Sequence, residues 1–227
     1  MSDPRQVVAM FSRIPPVTRY LLIANLVVFV LQLVLGEALN ALMLWPLGSA
    51  DHGAPGFWPW QLVTYAFLHA PDNPLHLAFN MLALVMFGAQ VEHVWKTKRY
   101  ATYYFVSVVG AALCQLAVAW LTMSQGVPAY PVLGASGGIF GLLLAYGVLF
   151  PNQRVMLLFP PIPMKARTLV ILYAAVELLL GLNGWQPGVA HFAHLGGMLF
   201  GWLLILYWRR PRPPRTPPRR RHLRSVN

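Results

Sequence analysis

The chain has 227 residues, of which 57% are hydrophobic and only 10% charged, against the roughly 25% charged residues of a soluble domain. With a mean hydropathy of +0.55, this composition excludes an ordinary soluble protein and identifies a membrane protein. The formal net charge of +11 would suggest a nucleic-acid partner if it were spread over a soluble face. Eight of the seventeen Lys and Arg residues instead fall in the last nineteen positions, RRPRPPRTPPRRRHLRSVN, so the charge is local and no nucleic-acid partner is expected.

Residues 1–17 read as a mostly polar cytoplasmic segment. The first apolar run, 20–36, has no charged start or small-residue cleavage signal before it, so it is expected to stay as an anchor. Further runs follow at about 75–95, 100–122, 136–150, 168–183 and 189–208, against the ~20 residues that a bilayer crossing needs. The expected fold is an all-α, polytopic bundle of six transmembrane helices over 18–208, followed by a basic Pro/Arg-rich tail at 209–227. Proline in that tail favours extended polyproline II structure lying near anionic headgroups.

Charge alternates between the connections. Arg5, Arg13 and Arg19 precede or open the first run, whereas 37–74 carries Glu37, Asp51 and Asp72 but no Lys or Arg. Lys96, Lys98 and Arg99 follow the second run and Arg154, Lys165 and Arg167 the fourth, while 123–135 and 184–188 carry no basic residue. The positive-inside rule then puts both termini in the cytoplasm. The long connection 37–74 is rich in Trp, Pro and Gly, and is expected to form a partly inserted lateral structure with Trp45, Trp58 and Trp60 anchored in lipid headgroups.

The fourth run is short. At 1.5 Å per residue, 136–150 spans about 22 Å against a hydrocarbon core of ~30 Å, and Pro151 stops it at the inner side. Its start, in PVLGASGGIFG, must then lie below the outer surface. The irregular backbone before it needs protein around it or a watery cavity, so a recessed pocket is expected at Ser136.

Three inward-running helices place polar groups at one depth: His76 and Asn80 in the second, Ser136 in the fourth and His194 in the sixth. His76 and Asn80, four residues apart, share a face. Gly197 and Gly201 let the sixth helix approach a neighbour closely; if that neighbour is the fourth, Ser136 and His194 meet. A serine hydroxyl becomes a nucleophile when a neutral imidazole takes its proton. The free N–H groups that open the fourth helix, with His76 and Asn80, would receive an oxyanion. Taken singly, G-x-S-G is a common helix-packing element and a membrane histidine a common interhelical hydrogen bond. Together, three costly polar positions at one depth favour catalysis.

These pieces, HLAFN at 76–80, GASG at 134–137 and AHLGGMLFG at 193–201, resemble the rhomboid family of intramembrane serine proteases in motif, order and placement. The resemblance implies an endopeptidase that cleaves in or beside transmembrane segments of membrane-protein substrates, with Ser136 as nucleophile and His194 as general base and acid. It further implies oxyanion or substrate-binding roles for His76, Asn80, Gly134 and Gly137, and no cofactor or metal. The pair would act as a dyad without a carboxylate, and no Asp or Glu lies near His194 in sequence. Phe140 stands where many relatives have a tyrosine packed on the catalytic histidine, and 37–74 lacks the tryptophan–arginine pair of some relatives. The location expected is a bacterial inner membrane.

The remaining polar residues have quieter expectations. His191 reads as a water-bonded rim residue, His69 as a structural hydrogen-bonding group, and Cys114 as small packing. Glu92 resembles a family glutamate that ties the bundle together, and Glu177 either packs on a polar neighbour or affects substrate entry. A metal or haem site using His69, His76, His191 and His194 is a rival that leaves the serine–glycine cluster unexplained. A non-catalytic client-binding relative is a second rival, which would be expected to lack Ser136 or His194.

Overall fold

The computed structural model describes residues 14–126, 128, 130–156, 161–184 and 189–210. The expectations for 1–13 and for the tail beyond Arg210 lie outside the described residues. Helix α1 covers Pro16–Leu35, α2 Pro74–Ala83, α3 Ala89–Met123, α4 Ser136–Leu149, α5 Ala166–Asn183 and α6 His191–Arg209. Proline opens α1 and α2, where its missing N–H costs no hydrogen bond, and Gly184 closes α5 at φ 64°.

The second and third expected spans form one helical run, Pro74–Met123, through a π-helical turn at Leu84–Gly88. Lys96 interrupts it with φ 64° and ψ 163°. A straight helix would carry Gly88 about 18 Å from residue 100, yet the Tyr100 hydroxyl lies against Gly88 and the Trp95 and Tyr103 rings are 4.8 Å apart. The chain therefore doubles back at Lys96, and this run makes two passes. Pro16–Leu42, Pro74–Met123, Ala166–Asn183 and His191–Arg209 are each long and apolar enough to cross a membrane. With the shorter α4 they match the six expected runs. A two-stranded antiparallel pair, β1 (Arg154–Met156) and β2 (Pro163–Lys165), joins α4 to α5 and adds a small feature the all-α expectation lacked.

Helix α4 is apolar on all sides and is buried accordingly, with Gly137, Ile139, Leu142, Ala145 and Tyr146 facing different neighbours. Its 14 residues span about 21 Å. By contrast, α1 and α5 expose Val30, Leu33, Val34, Ile171, Leu179 and Leu182, an apolar surface suited to lipid rather than water.

Two buried polar side chains pin the periphery. Glu92, on α3, accepts the Val17 N–H at 2.9 Å and the Thr18 N–H and hydroxyl at 2.8 Å each. It thus satisfies free donors at the positive end of α1, which is the bundle-tying role expected of it. Glu92→Ala would leave those buried donors unpaired and is expected to lower stability by about 3 kcal/mol. The measurement is thermal unfolding in detergent, and a melting point equal to wild type would rule this tie out.

Gln61 performs the same task in the first loop, whose 37–74 segment has no arginine. Its side chain accepts the Trp45 N–H at 3.1 Å and donates to the carbonyls of Ala41 and Gly56 at 3.0 and 3.2 Å. Trp45 corrects the lipid-anchor expectation: it is buried, and its indole N–H donates to the Asn40 carbonyl at 2.8 Å. Trp58 and Trp60 are exposed and stacked, 5.0 Å between centroids.

Candidate active site

The irregular segment before α4 is held by protein on both sides. Val132 and Leu44 exchange two backbone hydrogen bonds of 2.9 Å, and the Gly134 N–H donates to the Tyr65 carbonyl at 3.0 Å. Non-helical backbone in an apolar bundle requires this kind of satisfaction. Gly134 takes φ 126°, a conformation that disfavours any side chain, and a Cβ there would stand 2.9 Å from the His76 ring. Glycine at this point therefore turns the chain into α4 and leaves room for His76 beside Ser136.

Ser136 is the first residue of α4 and His194 lies in the first turn of α6. The His194 Nε2 is 2.7 Å from the Ser136 Oγ, so the hydroxyl can donate to an Nε2 lone pair. Close helix approach makes this possible: a Cβ at Gly197 would overlap the Gly137 carbonyl, so the backbones of α4 and α6 touch where these glycines face each other. The Phe140 ring stacks on the His194 imidazole at 4.2 Å and 2°, and Tyr173 of α5 meets the other edge of Phe140 at 5.9 Å. The ring-packing geometry expected for Phe140 is thus present without a hydroxyl.

A cavity of about 920 Å³ opens over this pair, lined among others by His76, Asn80, Gly134, Ser136, Phe140 and His194. Every residue assigned to the site from sequence lines it, Gly137 included. His76 and Asn80 rise from α2, and Asn80 Nδ2 donates to the His76 carbonyl at 2.9 Å, leaving its second amide hydrogen available. The α4 N-terminus, with unpaired N–H groups and a positive dipole end, meets these side chains at Ser136. The set brings a hydroxyl, an imidazole nitrogen within hydrogen-bond reach of it and further hydrogen-bond donors to one cavity.

His69 and Cys114 take the structural places expected of them. His69 bonds through its backbone, whose N–H donates to Gln32 Oε1 at 2.9 Å, while its buried ring nitrogens have no hydrogen-bond partner among the described residues. Its ring lies 5.0 Å from that of His76, and burial, then the neighbouring His76, push its pKa down to about 4. It is therefore neutral at pH 7. Cys114 packs where α3 passes Gly196.

His191 is not a water-bonded rim residue: it is buried, and its Nδ1 is 2.7 Å from Glu177 Oε2. The same carboxylate oxygen is 2.9 Å from His194 Nδ1, although off the direction of an ideal hydrogen bond. The expectation that no carboxylate accompanies the pair is thereby corrected. It was drawn from sequence neighbours, and Glu177 arrives from the adjacent helix. Of the four histidines in the rival metal set, His191 and His194 join Glu177 in one cluster of possible ligand atoms among the described residues. One sequence signal bears on this cluster, His191 preceding His194 by one turn, while the fold alone shows that Glu177 shares the buried face of α5 with Leu169 and Val170.

Comparison with known proteins agrees with this architecture. A family model described as the Rhomboid domain matches residues 57–211. Rhomboid protease AarA of Providencia stuartii is 30% identical over 204 residues, covering 83% of this chain and 71% of that protein. Rhomboid protease GluP of Bacillus subtilis (strain 168) is 28% identical over 197 residues, covering 85% of this chain but 35% of the relative. RHOMBOID-like protein 4 of Arabidopsis thaliana is 34% identical over 145 residues, covering 64% of this chain and 33% of the relative. The matched region is thus about a third of two of these relatives and more than two thirds of AarA. With a helical multi-pass bundle and a family match over most of its length, the chain belongs to the rhomboid family.

Proposed function

We propose that this protein is an intramembrane serine endopeptidase that hydrolyses peptide bonds in or next to transmembrane segments of other membrane proteins. The observation that carries the reading is the 2.7 Å approach of His194 Nε2 to Ser136 Oγ at the floor of a cavity. Names of relatives such as Rhomboid protease AarA support it.

In this mechanism Ser136 Oγ attacks the scissile carbonyl carbon as its proton passes to His194 Nε2. The oxyanion is met by backbone N–H groups at the start of α4 and by the side chains of His76 and Asn80. Collapse of the tetrahedral intermediate breaks the C–N bond, and His194 returns the proton to the leaving amine. A water, deprotonated by His194, then attacks the acyl-enzyme and releases the acid and free Ser136. A membrane helix hides its carbonyls in its own hydrogen bonds, so substrates with small or helix-weakening residues near the site are preferred. Residues 18–208 form the catalytic membrane domain, with 1–17 and the basic 209–227 segment on the cytoplasmic side. The charge alternation supports that orientation, and a bacterial inner membrane is the proposed location.

A fluorophosphonate probe tests the nucleophile. Purified protein in detergent is expected to label once per chain, and Ser136→Ala not at all. Equal labelling of Ser136→Ala would overturn the assignment.

A further inference from the structure

Glu177 is a carboxylate placed inside an apolar bundle, a costly position unless partners compensate it. It is 8% exposed, and a single oxygen, Oε2, serves both neighbours: His191 Nδ1 at 2.7 Å and His194 Nδ1 at 2.9 Å. The two imidazoles stand almost perpendicular, at 88°, so one oxygen reaches both ring edges. His194 turns its other nitrogen to Ser136 Oγ at 2.7 Å and has one face covered by Phe140. The ring is thus addressed on three sides, and Glu177 supplies the charged one.

The His191 contact is a hydrogen bond, and the His194 contact is an ion-pair separation off the ideal hydrogen-bond direction. Tetrahedral ligands at ~2.0–2.1 Å from a zinc ion would stand roughly 3.3 Å apart.

We infer that Glu177, braced by His191, is a positioning residue for His194, so that this rhomboid-family site works as a serine–histidine pair with a carboxylate behind it. The inference rests on the serine-protease reading above. A carboxylate at Nδ1 favours the tautomer with the proton on Nδ1, leaving the Nε2 lone pair toward Ser136. It also pairs with the imidazolium formed when Nε2 takes the serine proton. His191 holds the shared oxygen through the better-directed contact, which accounts for a second buried histidine one turn away.

The test compares Glu177→Gln with wild type in detergent, using fluorophosphonate inactivation and thermal unfolding. Gln keeps the shape and removes the charge. The expected result is a roughly 10- to 100-fold fall in the maximal inactivation rate with little change in the probe concentration giving half that rate. Imidazole ¹⁵N spectra, with His194 assigned by its loss in His194→Gln, are expected to show the Nδ1–H tautomer in wild type and a mixture in Glu177→Gln. A purely structural carboxylate would move the melting point without moving the tautomer.

Should Glu177→Gln not fold, Glu177→Asp, which retains the charge but withdraws it, is expected to fold and to slow inactivation as well. Wild-type inactivation rates in the folded variant, or an unchanged tautomer, would overturn the inference while leaving Ser136 and His194 in place. Stoichiometric metal in the wild type, lost in His191→Ala, with labelling abolished by a chelator, would also overturn it and make the trio a metal site. A wild type that labels no better than Ser136→Ala removes the protease reading and this inference together.

Discussion

Ser136→Ala and His194→Ala are each expected to lower cleavage of a reconstituted transmembrane substrate by about 10⁴-fold or more, and the double variant to be no slower than the slower single one. The two side chains act as one unit: the hydroxyl at 2.7 Å from Nε2 is a nucleophile only while the imidazole can take its proton. Removing either leaves the other without a task, so their effects do not add. The helix end, His76 and Asn80 remain in both variants and set the residual rate. Losses that multiply in the double variant would mean that Ser136 and His194 contribute separately and would sink the pair as a mechanism. Initial cleavage rates in liposomes provide the measurement.

The strongly patterned features of the fold were legible because membrane physics leaves few alternatives. Apolar runs gave six passes, and the shortness of α4 implied a pocket at Ser136, where a cavity opens. The meeting of α4 and α6 was readable from Gly197, since small residues have their main use where backbones touch, whereas Gly201 turns instead to Tyr103 and Ser107 of α3. Features that depend on helix rotation were harder. Glu177 is seventeen residues from His194, and nothing between them says how far α5 turns toward α6. Composition could not separate Trp45, which is buried by its bond to Asn40, from the exposed Trp58 and Trp60. The structural hydrogen bond expected of His69 is present, but its partner was not legible. Its backbone finds Gln32, a residue of α1 that only the folded chain brings close.

Gly197→Ala is expected to damage the protein more than a one-methyl change normally does, with a loss of about 3 kcal/mol in stability and a marked fall in probe labelling. Most overpacked cores relieve a new methyl by turning a side chain. Here the obstacle is the Gly137 carbonyl, part of the α4 backbone, so relief requires α4 and α6 to separate. Gly137 follows Ser136 directly and Gly197 lies one turn beyond His194. Any separation at this contact therefore acts on the 2.7 Å gap between hydroxyl and imidazole. Leu203, half exposed on the same helix, is the matching control, and Leu203→Ala is expected to change stability by less than about 0.5 kcal/mol. Thermal unfolding and the labelling rate are read on the same samples. A Gly197→Ala protein that melts and labels like wild type would show that the α4–α6 contact does not set the distance on which the chemistry depends.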